Sequence, residues 1–293
     1  MMVMADLEKS EKLPPDKRYF NISILWILYF RHVIRLLYHL KIPHEIVTLM
    51  SILSGLVSAG LFYSGYFILA AVALHFKDVF DACDGALARL TGRGHLIGRY
   101  LDSLGDFVTL TLVIGAIALR AMENISTAYL AWGILAVLST FIQCSFFNYY
   151  QLAYLDTFGI KTLSSRRDER SRDDLDRFSN NRSARAFLAG LRLFYLIVYG
   201  WQDRLVASVD GKMFRGSPLN DNMERFGRRS LMVMQSALCF GTHIFVIILF
   251  SVFQKPWLGL IFIGIPMNLY LIFLLYLRKR YYRTRVGLPA GGE

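Results

Sequence analysis

Asp81, Asp84, Asp102 and Asp106 are set into two hydrophobic segments and lie on the string DACDGALARLTGRGHLIGRYLDSLGD. On insertion scales a carboxylate at the centre of a membrane helix costs roughly 2.5–3.5 kcal/mol, so a cluster of them marks a functional site. The spacing narrows the kind of site. Asp81 and Asp84 stand i,i+3 on one helix face, which Gly85 and Ala88 continue. Gly98, Asp102 and Asp106 recur at i,i+4 on one face of the next helix. Two helices marked in this way can converge four carboxylates on a hard cation. The small residues beside them leave room for a ligand to approach. An all-oxygen site of that kind suits Mg2+ or Mn2+ with a phosphorylated substrate.

Asp81, Asp84, Gly85, Ala88, Arg89, Gly98, Asp102 and Asp106 together fill the pattern D-x2-D-G-x2-A-R-x8-G-x3-D-x3-D. In this the chain resembles the CDP-alcohol phosphotransferases (CDP-alcohol phosphatidyltransferases), integral membrane enzymes of phospholipid synthesis. The resemblance runs over about Pro43 to Phe107. It implies that Asp81, Asp84 and Asp102 are metal ligands, and that Asp106 is the general base towards an acceptor hydroxyl and also touches a second metal. Gly85 and Ala88 would make room for the nucleotide. Arg89 would pair with the pyrophosphate or with Asp84, and Gly98 would serve either helix packing or ligand clearance. Many members have Pro-Asn followed by Val/Ile-Thr at the start of the first span. Here Pro43 and Thr48 are kept, with one residue more between them and no Asn. Thr48 is expected to line the nucleotide site, whereas the departure gives His44 and Glu45 no role.

The elements that must position these residues are membrane helices. With 293 residues, 55% hydrophobic, and a mean hydropathy of +0.39, the chain reads as an all-α integral membrane protein. Six spans are expected, near Ile46–Phe67, Ile68–Leu87, Leu101–Leu119, Thr127–Leu152, Leu231–Phe253 and Trp257–Leu277. The second is marginal in hydropathy because it carries Lys77, Asp78, Asp81 and Asp84. Basic residues set the orientation. Seven fall in the first 45 residues, about fifteen between Asp156 and Ser230, and five from Arg278 onwards, with Arg89, Arg93 and Arg99 in the second connection. The two remaining connections carry only Arg120 and Lys255. Six spans with both termini cytoplasmic satisfy the positive-inside rule, and they put the aspartates at the cytoplasmic side. The expected organisation is a cytoplasmic segment 1–45, spans with the catalytic signature over 46–154, a basic cytoplasmic insertion 155–230, two spans over 231–277 and a basic tail 278–293.

Lys17 to Leu40 mixes aromatic and aliphatic clusters with Arg18, Arg31, His32, Arg35 and His39, and is expected as an interfacial amphipathic helix. The competing reading, a seventh span, fails because the apolar run Ile22–Phe30 is too short and continues into basic residues. Ser51, Gly55 and Ala59 form a small-residue stripe, most simply a packing face, which also permits the homodimer that the resemblance suggests. RRDERSRDDLDR is expected as a solvated helix or a disordered loop. Phe187–Tyr199, short and interrupted by Arg192, is expected as an interfacial or re-entrant helix. A phosphate-holding role for Arg192 or Arg204 is the lesser reading. Cys83, Cys144 and Cys239 are expected as buried thiols. His75, His95 and His243 lack metal-ligand spacing, and the Asn21 and Asn124 tripeptides match a glycosylation acceptor by chance. No cleaved signal peptide is expected. The net charge of +11 follows from topology, with attraction to anionic headgroups as a secondary effect and no nucleic-acid partner.

The reaction implied is transfer of a phosphatidyl group from CDP-diacylglycerol to a small alcohol, with release of CMP. The alternative within the family passes a headgroup from CDP-choline or CDP-ethanolamine to diacylglycerol. A divalent-cation transporter would carry acidic residues through the membrane depth, and the later spans hold none. An inactive lipid-binding relative would have lost part of the pattern, which is complete. Lys77 reads either as an i,i+4 partner of Asp81 or as a contact to substrate phosphate.

Overall fold

In a computed structural model, residues 19, 27–92, 96–160, 182–213 and 228–286 are described, and among them every regular element is helical. The helices are α1 (Ile27–His39), α2 (His44–Tyr63), α3 (Phe67–Thr91), α4 (Leu96–Asn124), α5 (Ala128–Thr157), α6 (Arg182–Val198), α7 (Gly200–Met213), α8 (Arg229–Gln235), α9 (Phe240–Val252), α10 (Pro256–Gly264) and α11 (Pro266–Val286). Among the described residues, four stretches are long and apolar enough to cross a membrane: His44–Tyr63, Tyr100–Asn124, Ala128–Thr157 and Pro256–Tyr281. A fifth is the pair Arg229–Leu238 and Phe240–Val252 if its 49° bend lies within one span. α3 has the length, at 25 residues, but its charged face keeps it below the same apolar standard. Large apolar side chains such as Leu49, Leu53, Leu69, Ile134, Leu269 and Ile272 point outwards, as a lipid-facing surface requires.

α2 and α3 form an antiparallel hairpin. Its turn falls at Ser64–Tyr66, earlier than hydropathy places it, because Gly65 takes φ 86° while Phe67 already opens α3. The apolar residues on both sides hide that turn from a hydropathy scan. Two serines on α2 stitch the pair: Ser51 Oγ donates to the Lys77 carbonyl at 3.0 Å and Ser58 Oγ to the Ala70 carbonyl at 2.8 Å. α4 packs just as closely on α2. A β-carbon at Gly55 would lie 2.8 Å from Thr109 Cβ, and one at Gly105 would lie 2.7 Å from Ile52 Cγ1. The Ser51–Gly55 face is therefore consumed inside the chain, and it offers no surface to a second copy.

The last apolar segments are broken where hydropathy predicts continuous spans. Ser236–Leu238 forms a 3-10 turn between α8 and α9, and Pro266 separates α10 from α11. Side chains collect the carbonyls at the second break: Asn268 Nδ2 donates to Gly264 O at 2.8 Å and Gln143 Nε2 to Ile263 O at 3.3 Å. The Gln143 amide also lies 2.8 Å from His243 Nε2, while His243 Nδ1 donates to the Cys239 carbonyl at 2.9 Å. His243 is thus a bundle-core histidine, and His75 bonds the Tyr29 hydroxyl on α1. His95, Asn21 and the RRDERSRDDLDR run lie outside the described residues.

α1 buries Ile34 and Leu37 against Val47, Val79, Cys83, Ala86 and Leu87. The three thiols are free and buried. α6 and α7 pack on the bundle. Leu188 and Leu191 of α6 meet Tyr100, and Ser145 of α5 donates to Gln202 Oε1 at 2.8 Å. Tyr149 and Tyr150 donate to the Asp210 carboxylate at 3.0 and 3.1 Å.

The α2–α4 contact gives a paired test on one helix. Gly55→Ala is expected to lower the thermal unfolding temperature in detergent, at a cost of about 1–3 kcal/mol from overpacking. At Gly60 a β-carbon meets nothing within 4 Å, so Gly60→Ala is expected to be neutral or stabilising.

Candidate functional site

The site is built from the C-terminal half of α3, the N-terminal half of α4 and the first turn of α2. Helical spacing aims Asp81 from α3 and Asp102 and Asp106 from α4 at a common point. One carboxylate oxygen from each lies within 4.8 Å of the other two. All three residues are half-buried. The donor set fits a hard divalent cation: oxygen only, three formal negative charges, and exposure enough for a ligand to reach it.

Asp84 stands outside this trio. It is buried, and the Thr48 hydroxyl donates to its Oδ2 at 2.6 Å, with the His44 carbonyl at 3.1 Å as an alternative acceptor. The expected convergence of four carboxylates is thus divided, three together and one fastened to α2. Thr48 acts on this fourth carboxylate, whatever else it lines. Gly85 is overlaid by the Arg89 guanidinium, whose Nη1 comes within 3.5 Å of where a Gly85 β-carbon would stand. Ala88, half-buried, lies on the same side. A β-carbon at Gly98 would lie 3.8 Å from His44 Nε2. His44 is buried and its Nδ1 lies 3.4 Å from Glu45 Oε2, so its ring borders the site.

Lys77 keeps its expected i,i+4 partner and has a second one. Its side chain is only 2% exposed, and its ammonium lies 3.4 Å from Asp81 Oδ1, as i,i+4 spacing suggests. The closer partner is Asp106 Oδ1 across the helix pair. Behind the ammonium, at 4.8 Å, sits the ring of Phe240 from the first turn of α9. Sequence reasoning also missed Tyr199, whose hydroxyl donates to the Ser103 carbonyl at 3.0 Å between the two site residues of α4. Neither contact has a local sequence signal, since each joins residues far apart in the chain.

The family model of the CDP-alcohol phosphatidyltransferases matches residues 41–162. Over those residues, under half of the chain, the protein is similar to that family. The match takes in α2 to α5, and with them the three helices that carry Asp81, Asp84, Asp102, Asp106 and Thr48. The family it resembles there is one of transferases acting on CDP-alcohols. A search among curated proteins gave no match.

Thr48→Ala leaves the buried Asp84 carboxylate without its hydroxyl donor and is expected to cost about 1–3 kcal/mol. Thr48→Ser is expected to restore most of it. Thermal unfolding of both variants in metal-free detergent solution checks the pair.

Proposed function

We propose that the chain is a Mg2+- or Mn2+-dependent enzyme that transfers a phosphatidyl group from CDP-diacylglycerol to a small alcohol and releases CMP. The observation that carries this reading is the convergence of Asp81, Asp102 and Asp106 inside the matched family domain. Asp81, Asp84 and Asp102 are the proposed metal ligands, joined by Asp106. A bound divalent ion would neutralise the pyrophosphate and stabilise the departing CMP.

The remaining roles fall to the chain's own residues. The acceptor hydroxyl oxygen forms a bond to the phosphorus that carries the lipid. The bond from that phosphorus to the CMP oxygen breaks, and CMP leaves as an anion. Asp106 takes the hydroxyl proton. Its position one helical turn beyond Asp102 puts it beside the metal ligands rather than among distant groups. Gly85, Ala88 and Gly98 leave the nucleotide space along α3 and α4. Arg89, folded over Gly85, stands where a pyrophosphate would lie against the helix. Thr48 holds Asp84 in place.

The topology belongs to the same proposal. α2, α3, α4 and α5, the bent pair α8–α9 and the pair α10–α11 make six spans, with both termini and the site at the cytoplasmic side. The distribution of basic residues supports this arrangement. α1 lies at the interface before the first span. Soluble nucleotide headgroups and alcohols would then approach from the cytoplasm, and lipid tails would stay in the bilayer.

Purified protein in detergent with Mn2+ or Mg2+ is expected to release CMP from CDP-diacylglycerol when soluble alcohols are supplied. A parallel arm holds CDP-choline or CDP-ethanolamine with diacylglycerol, and turnover there instead would reassign the donor. Asp106→Asn is expected to lower the rate about 10²–10⁴-fold, the usual worth of a positioned base. An unchanged rate in that variant would remove Asp106 from the mechanism.

A further inference from the structure

α6 packs on α4 and α7 on α5, and the two helices are joined at Tyr199. Backbone bonds continue through the junction, from Tyr199 N to Tyr195 O at 2.8 Å and from Asp203 N to Tyr199 O at 2.9 Å. Before it, Leu188 and Leu191 meet Tyr100 of α4. After it, Gln202 and Asp210 accept from Ser145, Tyr149 and Tyr150 of α5. Tyr199 thus stands where the pair passes from one helix to the other, and its ring touches both. It meets Phe107 of α4 and Phe141 of α5 edge-on, with centroids 6.5 and 6.1 Å away, and the ring of Tyr195 lies at 5.1 Å.

The Tyr199 hydroxyl donates at 3.0 Å to the carbonyl of Ser103. In a helix the regular donor to that carbonyl is the amide of Phe107, so the turn it closes is the one that carries Asp106, and Asp102 directly precedes it. A second donor on a helical carbonyl draws it outwards and sets the local bend of the helix. Here that bend decides how the carboxylates of Asp102 and Asp106 are aimed at Asp81. Burial pushes the Tyr199 phenol up, and the charges of Asp106 and Asp102 push it further, so both carboxylates act on this hydroxyl. The bond comes from outside residues 41–162, the part of the chain that is similar to the family.

We infer that Tyr199 is a positioning residue of the carboxylate site, through which the α6–α7 pair holds the turn of α4 that bears Asp102 and Asp106. It acts on the two aspartates through the Ser103 carbonyl. Its effect on turnover rests on the phosphatidyl-transfer reading of the site, whereas its effect on α4 does not. Tyr195 provides an internal comparison. It belongs to the same cluster of rings, but its hydroxyl is turned to Asp203 Oδ2 of α7 at 3.4 Å.

Tyr199→Phe keeps the ring and removes the hydroxyl, and Tyr195→Phe does the same one turn earlier. Both are compared with the wild type as full-length protein in detergent. The first readout is CMP release with whichever donor the wild type turns over. Tyr199→Phe is expected to lower kcat about tenfold, with KM for the donor and the unfolding temperature both near those of the wild type. Tyr195→Phe is expected to keep the wild-type kcat. The second readout is amide hydrogen exchange followed by mass spectrometry, which needs no substrate. Residues 100–107 are expected to exchange faster in Tyr199→Phe than in the wild type or Tyr195→Phe, with α5 unchanged. A wild-type kcat in Tyr199→Phe would overturn the inference, as would an equal loss in both variants, which would belong to ring packing. Unchanged exchange over residues 100–107 would overturn it as well. No turnover by the wild type with any donor would instead bring down the phosphatidyl-transfer reading, and exchange alone would then decide the inference.

Discussion

Like charges must be held together in a place that opposes it. Two carboxylates with oxygens within 4.8 Å of each other repel by on the order of 3 kcal/mol or more at an effective dielectric of about 20, and the trio holds three such pairs. Nothing in an apolar helix bundle relieves this by itself. Relief comes from Lys77, whose ammonium spans Asp81 and Asp106 and so ties α3 to α4 at the site. Asp84, which does not share the lysine, is held through Thr48 on α2 instead. Three helices are thereby joined by the same few charged and hydroxyl groups that form the candidate site.

That arrangement demands close helix packing. Ser51 and Ser58 draw α3 against α2, while Gly55 of α2 makes room for Thr109 of α4 and Gly105 of α4 for Ile52 of α2. With larger residues at these points α4 would stand further away, and Asp106 would lose Lys77. The other helices buttress this trio. α1 caps one side with Ile34 and Leu37, α6 packs on α4 through Leu188 and Leu191, and Phe240 of α9 closes over the lysine. The breaks in the last apolar segments are tolerated because Gln143, His243 and Asn268 absorb backbone groups that would otherwise be unpaired in the apolar bundle.

Much of the site was legible in the sequence because helical periodicity is local. The i,i+3 and i,i+4 spacings placed each pair of aspartates on one face, and the structure brings Asp81, Asp102 and Asp106 to one point. Thr48 was legible only through the family resemblance, and its contact is to Asp84. What could not be read joins distant segments. An i,i+4 rule offers Lys77 only Asp81, whereas its closer partner lies 29 positions on. The turn at Gly65 and the break at Pro266 are invisible to hydropathy because apolar residues flank both. The insertion looked like a charged excursion, yet Gln202 and Asp210 pair with Ser145, Tyr149 and Tyr150 of α5. Polar residues that bind other polar residues in a bundle have the same composition as polar residues in water.

The central proposal is that the carboxylates of α3 and α4 form a divalent-cation site. Anomalous diffraction from crystals grown with Mn2+ tests it most directly, because it locates the ion without relying on turnover. The expected result is anomalous density within coordination distance of Asp81, Asp102 and Asp106. Peaks elsewhere in the molecule and none at these three carboxylates would contradict it.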